Sequence, residues 1–209
     1  MNILREKAAG ESFDYNFLMN CLSDYKSPRS KVTHLLRSGD LVRVKKGLYV
    51  FGPRWRRSMI YPEALANQIY GPSYVSREYA LAFYGLIPEH VIEVTSMTSK
   101  RRKNYVTSVG RFSYLPLPIP LFSVGYTLME MTNSTSALMA TPEKALADLF
   151  YVRKIQIQTA TDLEELLFDD LRLDESGIKK LHIGVFSEIL KKGGSPILPL
   201  LIDWLRRNK

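Results

Sequence analysis

Ser27-Pro28-Arg29-Ser30-Lys31-Val32-Thr33-His34-Leu35-Leu36-Arg37-Ser38-Gly39-Asp40 runs straight into Leu41-Val42-Arg43-Val44-Lys45-Lys46-Gly47-Leu48-Tyr49-Val50-Phe51. Ser27 offers a helix cap and Pro28 a first helical residue whose missing N–H costs nothing, so a helix is predicted from Pro28 to Arg37, closed by Ser38-Gly39-Asp40. At 100° per residue Pro28, Val32, Leu35 and Leu36 share one face, while Ser30, Thr33, His34 and Arg37 lie opposite, flanked by Arg29 and Lys31. That polar face carries no carboxylate, whereas a merely solvated face usually mixes both signs; the pattern suits phosphates and base edges. The next eleven residues are two β-rich runs around Gly47 and read as a hairpin with a basic turn.

Upstream, Asp14 is a candidate N-cap, and Leu18, Cys21, Leu22 and Tyr25 follow at helical spacing with Phe17 widening the stripe. Asn2 to Ala9 is short but sufficient for a first supporting helix. Helix, turn, helix and basic hairpin is the order of a winged helix-turn-helix. In that geometry the second helix of the motif enters the major groove of double-stranded DNA, and Arg43, Lys45 and Lys46 reach the backbone. Arg54, Arg56 and Arg57 extend the cationic surface. The ordinary alternative is a winged helix used for protein contacts.

Charge distribution favours the nucleic-acid reading. The 209 residues carry a net charge of +8, of which residues 1–57 hold +7, with twelve Lys or Arg against five Asp or Glu. A basic excess confined to one part of the chain points to a polyanion partner for that part. No apolar run approaches bilayer length, and the chain starts without a signal-peptide pattern, so the expected location is the cytoplasm. The single cysteine, Cys21, excludes an internal disulfide, and the three histidines are too scattered for metal ligation. No cofactor is expected.

Gly52-Pro53 and the arginines behind it mark a boundary, giving domains at 1–57 and 58–209. In the second, Tyr61 to Tyr70 reads as a helix, Tyr74-Val75 as a brief strand, and Ser76 as the cap of a helix ending at Gly85. Val91 to Thr98, a hairpin from Tyr105 to Leu115 around Gly110, Gly125 to Met131, and Ala137 to Ala140 make a mostly antiparallel sheet. Pro116 to Pro120 reads as a connector at the sheet edge. Helices follow: Pro142 to Lys154 capped by Thr141, Asp162 to Leu171, Glu175 to Lys192 with a break near Gly184, and Pro196 to Arg207. The whole is α+β, a winged helix-turn-helix followed by an α+β domain with C-terminal helices.

Two features of this second domain could meet a ligand or partner. Lys100-Arg101-Arg102-Lys103, with Arg111 beyond, lies in an acid-free stretch between Glu93 and Glu130; it could touch an anion, although a basic hairpin loop is ordinarily a solvated tip. Arg77, Glu78 and Tyr79 lie in the first turn after the Ser76 cap, where N–H groups and an arginine could bind an anion, although Glu78 there is also ordinary helix-dipole chemistry; Tyr74 lies on the strand before them. Lys144 and Asp148 have the i, i+4 spacing of a surface ion pair. Together Tyr74, Arg77, Glu78, Lys100, Arg101, Arg102, Lys144 and Asp148 form the candidate effector surface. There is no glycine-rich phosphate loop, metal-ligand spacing or nucleophile elbow, so no enzyme is expected.

Three stretches together resemble the AbiEi antitoxins of type IV toxin–antitoxin systems: Arg43 to Val50, Gly71-Pro72-Ser73-Tyr74-Val75-Ser76-Arg77-Glu78-Tyr79-Ala80-Leu81-Ala82-Phe83-Tyr84-Gly85-Leu86, and Ala140-Thr141-Pro142-Glu143-Lys144-Ala145-Leu146-Ala147-Asp148-Leu149. The resemblance implies an autorepressor that binds repeats in its own promoter through the winged helix. It also implies that the second domain opposes a nucleotidyltransferase-like toxin without forming a stable complex. A solitary repressor whose second domain senses a ligand or dimerises shares every one of these residues. A DNA-targeted nucleic-acid enzyme is the remaining alternative.

Overall fold

The computed structural model describes residues 1–132 and 135–208. The N-terminal unit contains α1 (Asn2–Lys7), β1 (Ser12–Asp14), α2 (Tyr15–Cys21), α3 (Pro28–Arg37), β2 (Leu41–Lys45) and β3 (Leu48–Phe51). Asp14 caps α2 by accepting a 2.7 Å hydrogen bond from the Phe17 N–H. Ser27 precedes α3 without a side-chain cap bond, and its hydroxyl instead meets that of Ser30 at 2.8 Å. Tyr25 lies beyond α2 and is exposed, contrary to the helical stripe expected through it; Leu22, one step past the helix, carries the apolar face into the core.

The β2–β3 hairpin turns at Lys46-Gly47, where Gly47 has a left-handed φ of +87°. Its hidden partner is β1, which pairs with β3 so that the three-stranded sheet runs β1-β3-β2. Sequence patterning missed β1 because three residues before a cap have no readable period. Side chains alternate along β3: Tyr49 and Phe51 join Leu4, Leu18, Leu22, Val32 and Leu35 in one core, while Leu48 and Val50, with Val44 of β2, enter the core of the larger unit. Burial of such side chains contributes about 1.5–3 kcal/mol each, enough to hold the hairpin against the second unit.

The larger unit is built on a six-stranded sheet in the order β6-β7-β5-β4-β9-β8, with β4 (Ser73–Val75), β5 (Val94–Thr98), β6 (Lys103–Thr107), β7 (Gly110–Pro116), β8 (Tyr126–Thr132) and β9 (Thr135–Ala140). Three of its five joints are antiparallel; β5–β7 and β4–β9 are parallel. Pro116 ends the inner strand β7 opposite Thr98, not the sheet edge expected for it, and Ile119–Phe122 forms a helical turn, α6. Being the last paired residue lets Pro116 spare the ladder its missing donor.

Helix α4 (Pro62–Ile69) is fastened to this sheet by Asn67, whose side chain bridges the Ser73 and Leu138 carbonyls and the Leu138 N–H, and by the Tyr114 hydroxyl on the Ala66 carbonyl. Helices α5 (Arg77–Phe83) and α7 (Pro142–Arg153) pack together, and Thr141 caps α7 by accepting from the Lys144 N–H. Beyond them come α8 (Ala160–Glu164) running into a π-turn at Glu165–Asp170, α9 (Glu175–Lys179), α10 (Ile183–Lys191) and α11 (Leu198–Asn208). The chain therefore breaks at Lys180–His182, before Gly184.

Across the 57/58 boundary the two units are joined by side chains as well as by the chain itself. Buried Glu11 receives Arg5 Nη1 at 2.9 Å on one carboxylate oxygen, and the Arg57 N–H, Ser58 N–H and Ser58 hydroxyl on the other. Arg5 also stacks over the Phe51 ring at 4.1 Å. Replacing Glu11 by Ala strands the Arg5 charge in the core. The expected loss is about 3–5 kcal/mol of unfolding free energy in chemical denaturation, and an effect below about 1 kcal/mol would show the connection to be ornamental.

Candidate nucleic-acid interface and a buried polar cluster

Leu35 and Val32 bury one face of α3, so Arg29, Ser30, Thr33, His34 and Arg37 are all exposed on the other. Lys31 is half-buried, its ammonium 5.3 Å from the Tyr25 ring centroid, and stands apart from that face. Thr33 donates back to the Arg29 carbonyl at 3.1 Å, which fixes its hydroxyl on the helix surface. Behind α3, Asp40 accepts from Ser38 at 2.8 Å and from the Trp55 indole at 2.8 Å, and these bonds hold its carboxylate below the usual Asp range. Gly52 sits so close to this turn that a Cβ there would lie 1.8 Å from the Gly39 carbonyl oxygen.

The three hairpin cations expected to act together are divided. Arg43 and Lys46 are exposed, but Lys45 donates to the Ile69 carbonyl at the C-terminal end of α4. A cation there also complements the helix dipole. Lys100 donates to the Gly71 carbonyl at 2.6 Å two residues further on, and the Tyr70 hydroxyl bonds the Arg101 carbonyl at 3.2 Å. Burial first, and the Lys100 charge second, push the Lys45 ammonium below the usual lysine value. Two basic stretches far apart in sequence thus converge on the end of α4, with Lys46, Arg101 and Arg102 exposed around them. Among the described residues none of Arg29, Lys31, Arg37, Arg43, Lys46, Arg101 or Arg102 has an acidic partner, whereas Arg5, Arg77, Lys144, Arg153, Arg172, Lys179 and Arg206 do.

The other candidate surface residues are largely interior. Tyr74 and Lys144 are 0% exposed, Asp148 1% and Arg77 8%; only Glu78 is half-exposed, and it pairs with Arg153 at 3.1 Å. Lys144 and Asp148 meet at 2.6 Å, and the remaining Asp148 oxygen accepts from the Tyr74 hydroxyl at 3.0 Å and the Ser76 hydroxyl at 2.7 Å. The pair has the expected i, i+4 spacing but not the expected surface position: both side chains are buried, under Tyr74 and its stacked neighbour Tyr126. Ser76 is consequently not the side-chain cap of α5: its hydroxyl is taken by Asp148. Arg77 follows with φ +58°, and Thr95 brackets this turn by donating to the Ser76 carbonyl and accepting from the Tyr79 N–H.

Burial pushes the Asp148 carboxyl up, while the Lys144 ammonium and the Ser76 and Tyr74 donors pull it back without cancelling the rise; Tyr74 is pushed up in turn by burial and by Asp148. The second and third resemblance stretches, 71–86 and 140–149, therefore meet in this one buried cluster. Among the described residues no group of three His, Cys, Asp or Glu side chains could hold a metal ion, and no helix is long and apolar enough to cross a membrane.

No family model matches the chain, and none of the curated proteins compared with it does. Among solved structures, the RV2827C protein from Mycobacterium tuberculosis is similar at a TM-score of 0.51 and 16% identity, with 100% of this chain and 79% of that chain covered. A likeness at that identity concerns the fold.

Two tests address the buried cluster. Lys144→Ala leaves Asp148 unpaired and is expected to cost about 3–5 kcal/mol, while the double change Lys144→Met with Asp148→Leu recovers part of that loss in equilibrium unfolding. The raised Asp148 value also sets a sign: its contribution favours the fold below the ordinary Asp pKa near 3.8 and is lost as pH rises through the raised folded value. Stability measured from pH 4 towards neutrality should accordingly fall less steeply in Asp148→Asn than in wild type, and equal slopes would reject the assignment.

Proposed function

We propose that residues 1–57 are a winged helix-turn-helix that binds double-stranded DNA, and that the protein is a transcriptional repressor. The supporting observation is the exposed, acid-free face of α3 beside hairpin cations that have no acidic partner among the described residues. In this reading Arg29, Ser30, Thr33 and His34 face the base edges, since the N-terminal part of a recognition helix lies deepest in the major groove. Arg37, Arg43 and Lys46 contact phosphates. The loop carrying Lys100, Arg101 and Arg102 continues the basic surface from the hairpin, because Lys45 ends on the Ile69 carbonyl of α4 and Lys100 on the Gly71 carbonyl just beyond the helix. Lys31 and Lys45 serve mainly to position α3 and the hairpin.

The resemblance in stretches 43–50, 71–86 and 140–149 supports an autorepressing antitoxin, in which the larger unit opposes a nucleotidyltransferase-like toxin. Because Tyr74, Lys144 and Asp148 are buried, those stretches support the reading through a shared fold, and a toxin-facing surface is to be sought among other residues of the unit.

Binding to the protein's own promoter region, followed against salt concentration, tests the first part. Arg29→Ala and Thr33→Ala should each cost roughly 1–3 kcal/mol on the preferred site and relax sequence preference. Arg43→Ala, Lys46→Ala and Arg101→Ala should weaken all sequences alike, each lowering the salt slope by about one. Lys45→Met should leave the slope unchanged and lower unfolding free energy by about 1–2 kcal/mol. Wild-type affinity in an Arg29→Ala, Thr33→Ala, Arg43→Ala, Lys46→Ala variant would falsify the DNA reading. Co-expression of the full chain with the product of the adjoining gene tests the second part: unrelieved toxicity, or no toxicity to relieve, removes the antitoxin role.

A further inference from the structure

A groove of about 660 Å³ opens between the loop after α1, strand β1, the hairpin tip and α4. Its volume is that of a small-molecule site, and it is lined by parts of both units, with Gln68 of α4 forming one wall. Lys7, Lys45 and Lys46 supply its cations, and among the described residues none of the three has a carboxylate partner. Lys45 places one hydrogen bond on the Ile69 carbonyl, which leaves two further donors on its ammonium. Asp14 is the lone acid of the lining, one of its oxygens accepting from the Phe17 N–H at 2.7 Å, and the three cations outnumber it. Phe13 and Phe17, with ring centroids 5.4 Å apart, add apolar surface, and Phe17 is only half-buried.

Lysine ammonium groups are strong point-charge partners for phosphate, and an aromatic ring offers a planar group a stacking face. We propose that this groove binds a nucleoside phosphate, its phosphates on Lys7, Lys45 and Lys46 and its base against Phe17. Nothing in the proposal depends on the DNA reading, because the ligand is small and its binding is measured without DNA. A bound nucleotide would bridge the loop after α1, the hairpin and α4, and so clamp the seam between the two units.

Calorimetric titration of the full chain with ATP and with inorganic pyrophosphate, at low salt and without DNA, tests the site. ATP should bind saturably and about tenfold or more tighter than pyrophosphate, the margin that base stacking supplies. Lys7→Glu should weaken ATP binding by about tenfold through charge reversal. Gly10→Leu, at a lining position where a Cβ meets no atom within 4 Å, should do the same by narrowing the groove, with the unfolding transition of the variant measured alongside to show that it folds. Absence of saturable ATP binding at millimolar concentration, pyrophosphate binding as tight as ATP, or ATP affinity unchanged in either variant overturns the proposal.

Discussion

Strand β3 is buried on both of its faces, and the arrangement of the rest of the molecule follows from how its four residues are divided. Tyr49 and Phe51 close the core under α1, α2 and α3, while Leu48 and Val50 belong to the core of the six-stranded unit. A hairpin that projects freely into solvent would be patterned with one apolar and one polar face. Here the second face is apolar because it is the seam. The charged residues that remain on the hairpin are confined to its turn and outer edge, where Arg43 and Lys46 stay exposed and Lys45 reaches α4. Fixing the hairpin in this way also fixes α3, since both are held by the same sheet.

The second organising element is a set of charges that sit inside. Arg5–Glu11 and Lys144–Asp148 are both short, buried pairs, and each gathers further donors around its carboxylate. Such pairs are poor sources of net stability because desolvation offsets attraction, but they penalise any arrangement that separates their members. Glu11 holds the start of the chain to Arg57 and Ser58 by accepting from their N–H groups, and Asp148 holds α7 to the turn between β4 and α5 by accepting from the Tyr74 and Ser76 hydroxyls. The contrast with the unpaired cations of α3 and the hairpin is what makes that outer face stand out electrostatically.

Much of the fold was legible because its signals are local. Asp14 and Thr141 cap where their spacing indicated, Pro28 opens α3, and Gly47 turns the hairpin. The misses are non-local. Strand β1 exists only because β3 lies opposite it, and the β4–β9 joint rests on the single pair Val75 and Met139, so neither leaves a periodic trace. Spacing of i, i+4 looks the same whether a pair faces water or Tyr74, so Lys144 and Asp148 read as surface residues. In the candidate interface the exposed face of α3 was readable from its periodicity. Lys45 was not, because its partner Ile69 is 24 residues away.

The shared hairpin has a consequence for how the molecule can be divided. Severed after residue 57, the N-terminal unit would carry Val44, Leu48 and Val50 as an uncovered apolar strip on one face of its sheet, the kind of surface that invites self-association. The chain looks modular in charge, with its basic excess in one part, yet its interior is not. Recombination that grafted the basic unit onto an unrelated partner would have to supply a matching apolar socket. In any such graft the two units therefore behave as a single piece.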